Sequence, residues 1–229
     1  MESLTSGIQY RHWPVADAKA CVLLVHGLAE HTGRYHRLAT RFNSAGIAVV
    51  GPDHIGHGAS PGVRAHVRRF SDYLEPLTAL RERIKEWYPD KPVFLLGHSM
   101  GGLISAHALL VSQKSYHGAM FSGPAFTAVD PVSAPVMWIG RLLRYVFPKM
   151  GMLALNATEV SRDPAVVADY IADPLVYNGK ITASLGLEIL DAMEVAISRA
   201  GEITLPVYIA HGEADVMAGP EGSTAFFES

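Results

Sequence analysis

Gly97-His98-Ser99-Met100-Gly101-Gly102 stands between the apolar run VFLL and the helix-like stretch LISAHALLV. This is G-x-S-x-G after a strand and before a helix, the setting in which a serine is held in a sharp turn with its Oγ above the sheet edge. The glycines have a mechanical reason, because chain segments approach closely at Gly97 and Gly101 and a Cβ would obstruct them. Ser99 is therefore the candidate nucleophile, with an ordinary helix N-cap serine as the competing reading. A serine hydroxyl needs a base to take its proton, and a tetrahedral oxyanion needs N–H donors aimed at it. One candidate donor is the N–H of Met100, directly after the nucleophile and at a helix N-terminus. The second is the N–H of Leu28 in His26-Gly27-Leu28-Ala29-Glu30, which follows the strand-like VLLV; a plain strand-to-helix turn is the alternative there.

Asp215 lies just past the strand-like VYIAHG, and an open α/β sheet places its active groups beyond the carboxyl ends of its strands. A turn-forming aspartate is the other reading. The base is harder to find. With a nucleophile elbow the chain order is Ser, acid, His, yet the 14 residues after Asp215 contain none of the 11 histidines. A helix, a strand and their loops would put the expected histidine about 25 to 30 residues past Asp215, so the base is expected beyond residue 229 and the sequence is read as C-terminally incomplete. Of the histidines present, His98 adjoins the nucleophile but is expected to turn away at the elbow. His54 and His57, in HIGHG, sit in a Gly-rich turn without further ligands and read as structural rather than metal-binding. His31 and His36 open a helix as solvated or head-group contacts, and His211 is expected to pack rather than face Ser99.

The elements that must position these groups are short β-branched runs alternating with helical patterns, the sign of a mostly parallel sheet flanked by helices. Strands are expected at 8–13, 22–26, 48–52, 93–96, 119–122 and 207–210, and helices over 34–45, 70–87 and 101–113. The stretch of about 126–204 breaks the alternation, with helix-like pieces and no clear strand, and reads as an insertion in a single domain. Within it, Met137, Trp138, Leu142, Leu143 and Phe147 can share one apolar helix face with Arg141 and Arg144 beside it, which gives peripheral contact with a membrane. A helix packed on the core is the alternative.

Nineteen Lys and Arg against 22 Asp and Glu, a net charge of −3, lack the basic excess of a phosphate-backbone binder, so nucleic acid is not an expected partner. The single cysteine, Cys21, opens an apolar run and reads as a core residue rather than a nucleophile. No apolar stretch of signal-peptide or membrane-spanning length occurs, and a cytoplasmic location is expected.

HGLAEHTGRY, PDHIGHGAS, VFLLGHSMGG, DPLVYNGKI and HGEADVM together resemble the monoacylglycerol lipase family of α/β-hydrolases, from about residue 20 onward. The resemblance implies an α/β-hydrolase fold with an inserted helical cap, and a last strand and helix beyond residue 229. It implies Ser99 as nucleophile, Leu28 and Met100 as the oxyanion hole, Asp215 as the triad acid and no metal or organic cofactor. The insertion would be a lid over an acyl-chain tunnel. Glu30 and Arg34 would lie near the glycerol head group, with a local Glu30–Arg34 ion pair as the equal alternative. The expected reaction is cleavage of monoacylglycerols to glycerol and fatty acid through an acyl-enzyme. A related esterase or lysophospholipase, or an acyl-lipid binder without turnover, is the alternative.

Overall fold

Nine strands are present in the computed structural model, which describes residues 1–129 and 134–229 and, at 134–136 and 143, the backbone alone. They are β1 (Glu2–Ser3), β2 (Gln9–Trp13), β3 (Ala20–Val25), β4 (Ile47–Pro52), β5 (Val93–His98), β6 (Gly118–Ser122), β7 (Gly151–Ala154), β8 (Lys180–Thr182) and β9 (Val207–Ala210). Seven form one sheet in the order β1-β2-β4-β3-β5-β6-β9. In it β2 runs antiparallel to both neighbours and the other pairings are parallel, as the alternating pattern predicts. Central strands such as β3, ACVLLV, read as unbroken apolar runs because helices cover both of their faces.

The α-helices are α1 (His36–Ser44), α2 (Leu74–Trp87), α3 (Met100–Ser112), α4 (Ala134–Val146), α5 (Pro164–Ala172), α6 (Ala183–Ser198) and α7 (Pro220–Glu228). Helix α2 buries Leu77, Leu80 and Ile84, one stripe of a 3.6-residue period, whereas α3 is apolar nearly all round because the sheet and two other helices enclose it. Each such Leu or Ile stabilises the fold by about 1.5–3 kcal/mol when taken fully out of water. Strand β3 is flanked by β4 and β5, so the chain reverses direction across the sheet beside β3, and the loops there open a crevice at the strands' carboxyl ends.

Two features depart from expectation in the stretch 126–204. Strands β7 and β8 form a two-stranded antiparallel sheet where no strand was expected. All four residues of β7 are exposed, so no buried face imposes the alternation by which a strand is recognised. Helix α6 buries Leu185, Ile189, Ala192 and Ala196 in the main core, against α3. Within this stretch, segments around α4, β7 and α5 line the cavity described below from one side, while α6 lines it from the core side. The arginines of α4 are not free flanking charges, since Arg144 pairs with Glu188 and Asp191 of α6, and Arg141 lies 3.8 Å from Asp191.

Candidate active site

Strand β5 ends at His98 and α3 begins at Met100, leaving Ser99 alone to make the turn at φ +52° and ψ −121°. That conformation costs a non-glycine residue on the order of 1–3 kcal/mol and needs fixed surroundings. The surroundings are explicit. Ser99 N–H donates to Ser122 O (3.1 Å), and Ser99 O accepts from the N–H groups of Gly102 (2.9 Å), Leu103 (3.3 Å) and Ala125 (3.0 Å). A Cβ on Gly97 would stand 2.4 Å from Gly101 O, and one on Gly101 would stand 2.0 Å from Val25 O. Only glycine fits either place.

The loop after β3 closes over Ser99 from the other side. The Cβ position of Gly27 is 3.3 Å from the Ser99 Cβ, and Leu28 lines the same cavity as Ser99 and Met100. Among the described residues no partner is found for the Leu28 N–H. The Met100 N–H, in the first turn of α3, has no intrahelical acceptor, so both expected oxyanion donors are available.

Asp215 lies beyond β9 on the wall of that cavity, half-buried. Its Oδ1 accepts from the N–H groups of Met217 (2.8 Å) and Ala218 (3.0 Å), which fixes the carboxylate, while Oδ2 faces Gly123 at the end of β6. The cavity measures about 1750 Å³. Its far walls are apolar, with Met137, Met152, Leu153, Leu187 and Met193 among them.

The histidines distribute unevenly. His98, expected to turn away, lines the cavity beside Ser99, because its Nδ1–H donates to Ser122 O (2.8 Å) on the neighbouring strand. His211 packs: Nδ1 accepts from Ser223 Oγ–H (2.7 Å) and Nε2–H donates to Ala218 O (3.1 Å), 3.4 Å from Asp215 Oδ2. His31, expected in solvent or at a head group, is buried with Nε2 on Asp173 Oδ2 (2.9 Å) and Nδ1 capping Gly33 N–H (3.1 Å). His36 accepts from the Trp13 indole N–H (3.0 Å). His26, His54 and His57 pack at tilted and edge-on angles as a buried cluster behind the Leu28 loop. Burial keeps them uncharged, pushing His54 down to about 3 and His57 to about 4. No group of three or more His, Cys, Asp or Glu among the described residues is placed to hold a metal ion.

Glu30 and Arg34 both line the cavity, but neither pairs with the other. Glu30 Oε1 accepts from Gly27 N–H and Tyr35 O–H, both at 2.6 Å. Burial, then the Glu30 charge, drives the Tyr35 pKa well up, so that phenol stays a donor. Arg34 lies 3.5 Å from Asp173 and stacks 4.7 Å over Tyr170 of α5. Burial works to raise the Asp173 pKa, but the hydrogen bonds from His31 and Leu175 N–H and the Arg34 charge leave it lowered. Asp173 begins the motif DPLVYNGKI, and Tyr35 ends HGLAEHTGRY; both were visible as motif members without a role. Spacing alone does not reveal a clasp across 142 residues.

A family model described as serine aminopeptidase, S33, matches residues 16–229. The chain is 38% identical over 218 residues to the monoacylglycerol lipase of Mycolicibacterium smegmatis, covering 94% of this chain and 78% of that protein. It is 32% identical over 222 residues to the monoglyceride lipase of Rattus norvegicus, with 96% and 73% covered. The crystal structure of a Paleococcus ferrophilus monoacylglycerol lipase matches with a TM-score of 0.87 at 32% identity, covering 96% of this chain and 83% of that one. Taken with the elbow and the open cavity above it, these likenesses show that the chain belongs to the monoacylglycerol lipase family of α/β-hydrolases, a family of carboxylic ester hydrolases.

Proposed function

We propose that Ser99 cleaves the ester bond of monoacylglycerols. Its Oγ attacks the acyl carbonyl while a histidine takes the hydroxyl proton, and the N–H groups of Leu28 and Met100 hold the tetrahedral oxyanion. Collapse breaks the ester bond, and glycerol leaves with the proton that the histidine returns. Water, deprotonated by the same histidine, then splits the acyl-enzyme and frees the fatty acid. Asp215 orients that histidine and balances its charge. We place the histidine C-terminal to Asp215, beyond residue 229, because no described histidine is hydrogen-bonded to Ser99 and the one beside Asp215, His211, is committed to Ser223 and Ala218.

The observation that carries the reading is the strained Ser99 at the foot of a large cavity whose far walls are apolar, with room for an acyl chain. Glu30 and Arg34, polar groups beside the nucleophile, would meet the glycerol hydroxyls. The exposed residues Trp138, Ile139, Leu142 and Phe147 on and just after α4 support delivery of substrate from a lipid surface. The test is hydrolysis of monoacylglycerols by the chain with and without a C-terminal extension carrying a histidine, each beside its Ser99→Ala counterpart. Turnover in the extended protein, abolished in Ser99→Ala, is expected. Saturable acyl-lipid binding with no turnover in either form would instead favour the binder without catalysis.

A further inference from the structure

Oxyanion holes depend on the orientation of whole peptide units, and the Gly27–Leu28 unit is steered from its carbonyl end. There are no cis peptide bonds among the described residues, so the Gly27 carbonyl and the Leu28 N–H point in opposite directions. Gly27 O lies 2.8 Å from His26 Nδ1, on the buried side of the loop. The donor in that pair can be assigned. His54 backbone N–H points at His26 Nε2 (2.9 Å), and since a backbone nitrogen can only donate, Nε2 must present its lone pair. A neutral His26 then carries its proton on Nδ1 and donates it to Gly27 O.

We propose that His26 is a positioning residue of the oxyanion hole: its Nδ1–H holds the Gly27 carbonyl inward, and the trans peptide thereby turns the Leu28 N–H toward Ser99. The preceding peptide is held as firmly, because His54 Nε2–H donates to His26 O (3.0 Å) and Gly27 N–H donates to Glu30 Oε1 (2.6 Å). Among the described residues no partner is found for the Leu28 N–H, and Leu28 lines the cavity together with Ser99. Flipping the Gly27–Leu28 peptide would leave Gly27 O pointing at the oxyanion, which reverses the sign of the interaction there. Burial, with the neighbouring His54 and His57, pushes the His26 pKa well down, which keeps the required neutral form populated.

This rests on Ser99 acting as nucleophile, and the test separates the two. Ring-nitrogen shifts of the nitrogen-15-histidine-labelled protein report the His26 tautomer with no substrate present. The Nδ1–H form is expected, and an Nε2–H form would overturn the proposal whatever the protein hydrolyses. Kinetics on a short aryl ester, in the protein carrying the C-terminal extension with its histidine, give the second arm. His26→Asn keeps an amide N–H at the place of Nδ1; His26→Gln keeps a polar group only at the place of Nε2. Losing one oxyanion donor costs about 10²–10³-fold in kcat, so His26→Gln is expected to approach that loss with KM within about threefold, and His26→Asn to recover most of it. Equal kcat losses in the two variants, or losses that follow their thermal stability, would reduce His26 to a packing residue. Absence of Ser99-dependent hydrolysis in the parent carrying the C-terminal extension would count against the proposed reaction, and the tautomer would still decide the positioning.

Discussion

A nucleophile held at φ +52° depends on the absence of two Cβ atoms nearby. At Gly101 an added methyl would stand 2.0 Å from Val25 O, a backbone atom of a central strand that cannot swing aside as a side chain could. Gly101→Ala is thus expected to lower stability by about 1–3 kcal/mol, read as a shift in the urea midpoint, and to reduce hydrolysis through displacement of the elbow. An unshifted midpoint would mean that β3 and α3 separate more easily than this contact implies. Asp215→Asn behaves oppositely. Oδ1 can still accept from Met217 and Ala218, so folding should be spared, while loss of the charge behind the catalytic histidine should cut kcat by about 10⁴-fold. At this scale Ser99, Gly97 and Gly101 were legible because their chemistry is local to six residues. The side on which His98 falls was not, since it depends on a carbonyl of the neighbouring strand.

Elements became legible wherever burial imposes a period. Strand β3 and helix α2 show it, and both were found close to their observed limits. Exposed β7 has no such constraint, and α6 follows the cap segments without a break in pattern, so that only its packing on α3 identifies it as part of the core. Helix α4 is the mixed case. Met137 turns into the cavity, the Leu143 side chain lies outside the described residues, and both arginines are drawn to α6. What remains outward is Trp138, Ile139, Leu142, Tyr145 and Val146, an apolar surface with Trp138 68% and Tyr145 88% exposed. Its attraction to membranes should therefore be apolar more than electrostatic. Trp138→Ser with Leu142→Ser is expected to weaken co-sedimentation with neutral phosphatidylcholine vesicles, and anionic lipid should add little. Equal sedimentation of parent and variant would remove α4 from membrane contact, and binding that requires anionic lipid would return the role to the arginines.

Across the whole molecule the site is drawn from the ends of β3, β5, β6 and β9, which meet only because the chain reverses direction beside β3. The loop after β3 is in turn backed by His26, His54 and His57, all at most 1% exposed and held uncharged by burial. This couples the integrity of the crevice to pH. Above about pH 7.5 these histidines are almost wholly neutral both folded and unfolded, so there they contribute little to the pH dependence. Below about 6.5 the unfolded chain takes up protons that the folded one refuses until about 4 at His57 and about 3 at His54. Stability must therefore fall as the pH falls through this window, by about 2 kcal/mol per histidine at pH 5. Two or three such groups acting together rival the roughly 5–15 kcal/mol that holds a domain folded. Asp173, with its pKa lowered, would add to the loss only nearer pH 4, where unfolded carboxylates protonate. Urea midpoints measured from pH 7 to pH 4.5 should decline steeply below pH 6, and His57→Gln, which cannot take up a proton in either state, should flatten the curve. A midpoint constant down to pH 4.5 would show that the cluster admits protons while folded, and the loop that carries Leu28 would then lack the uncharged backing assigned to it.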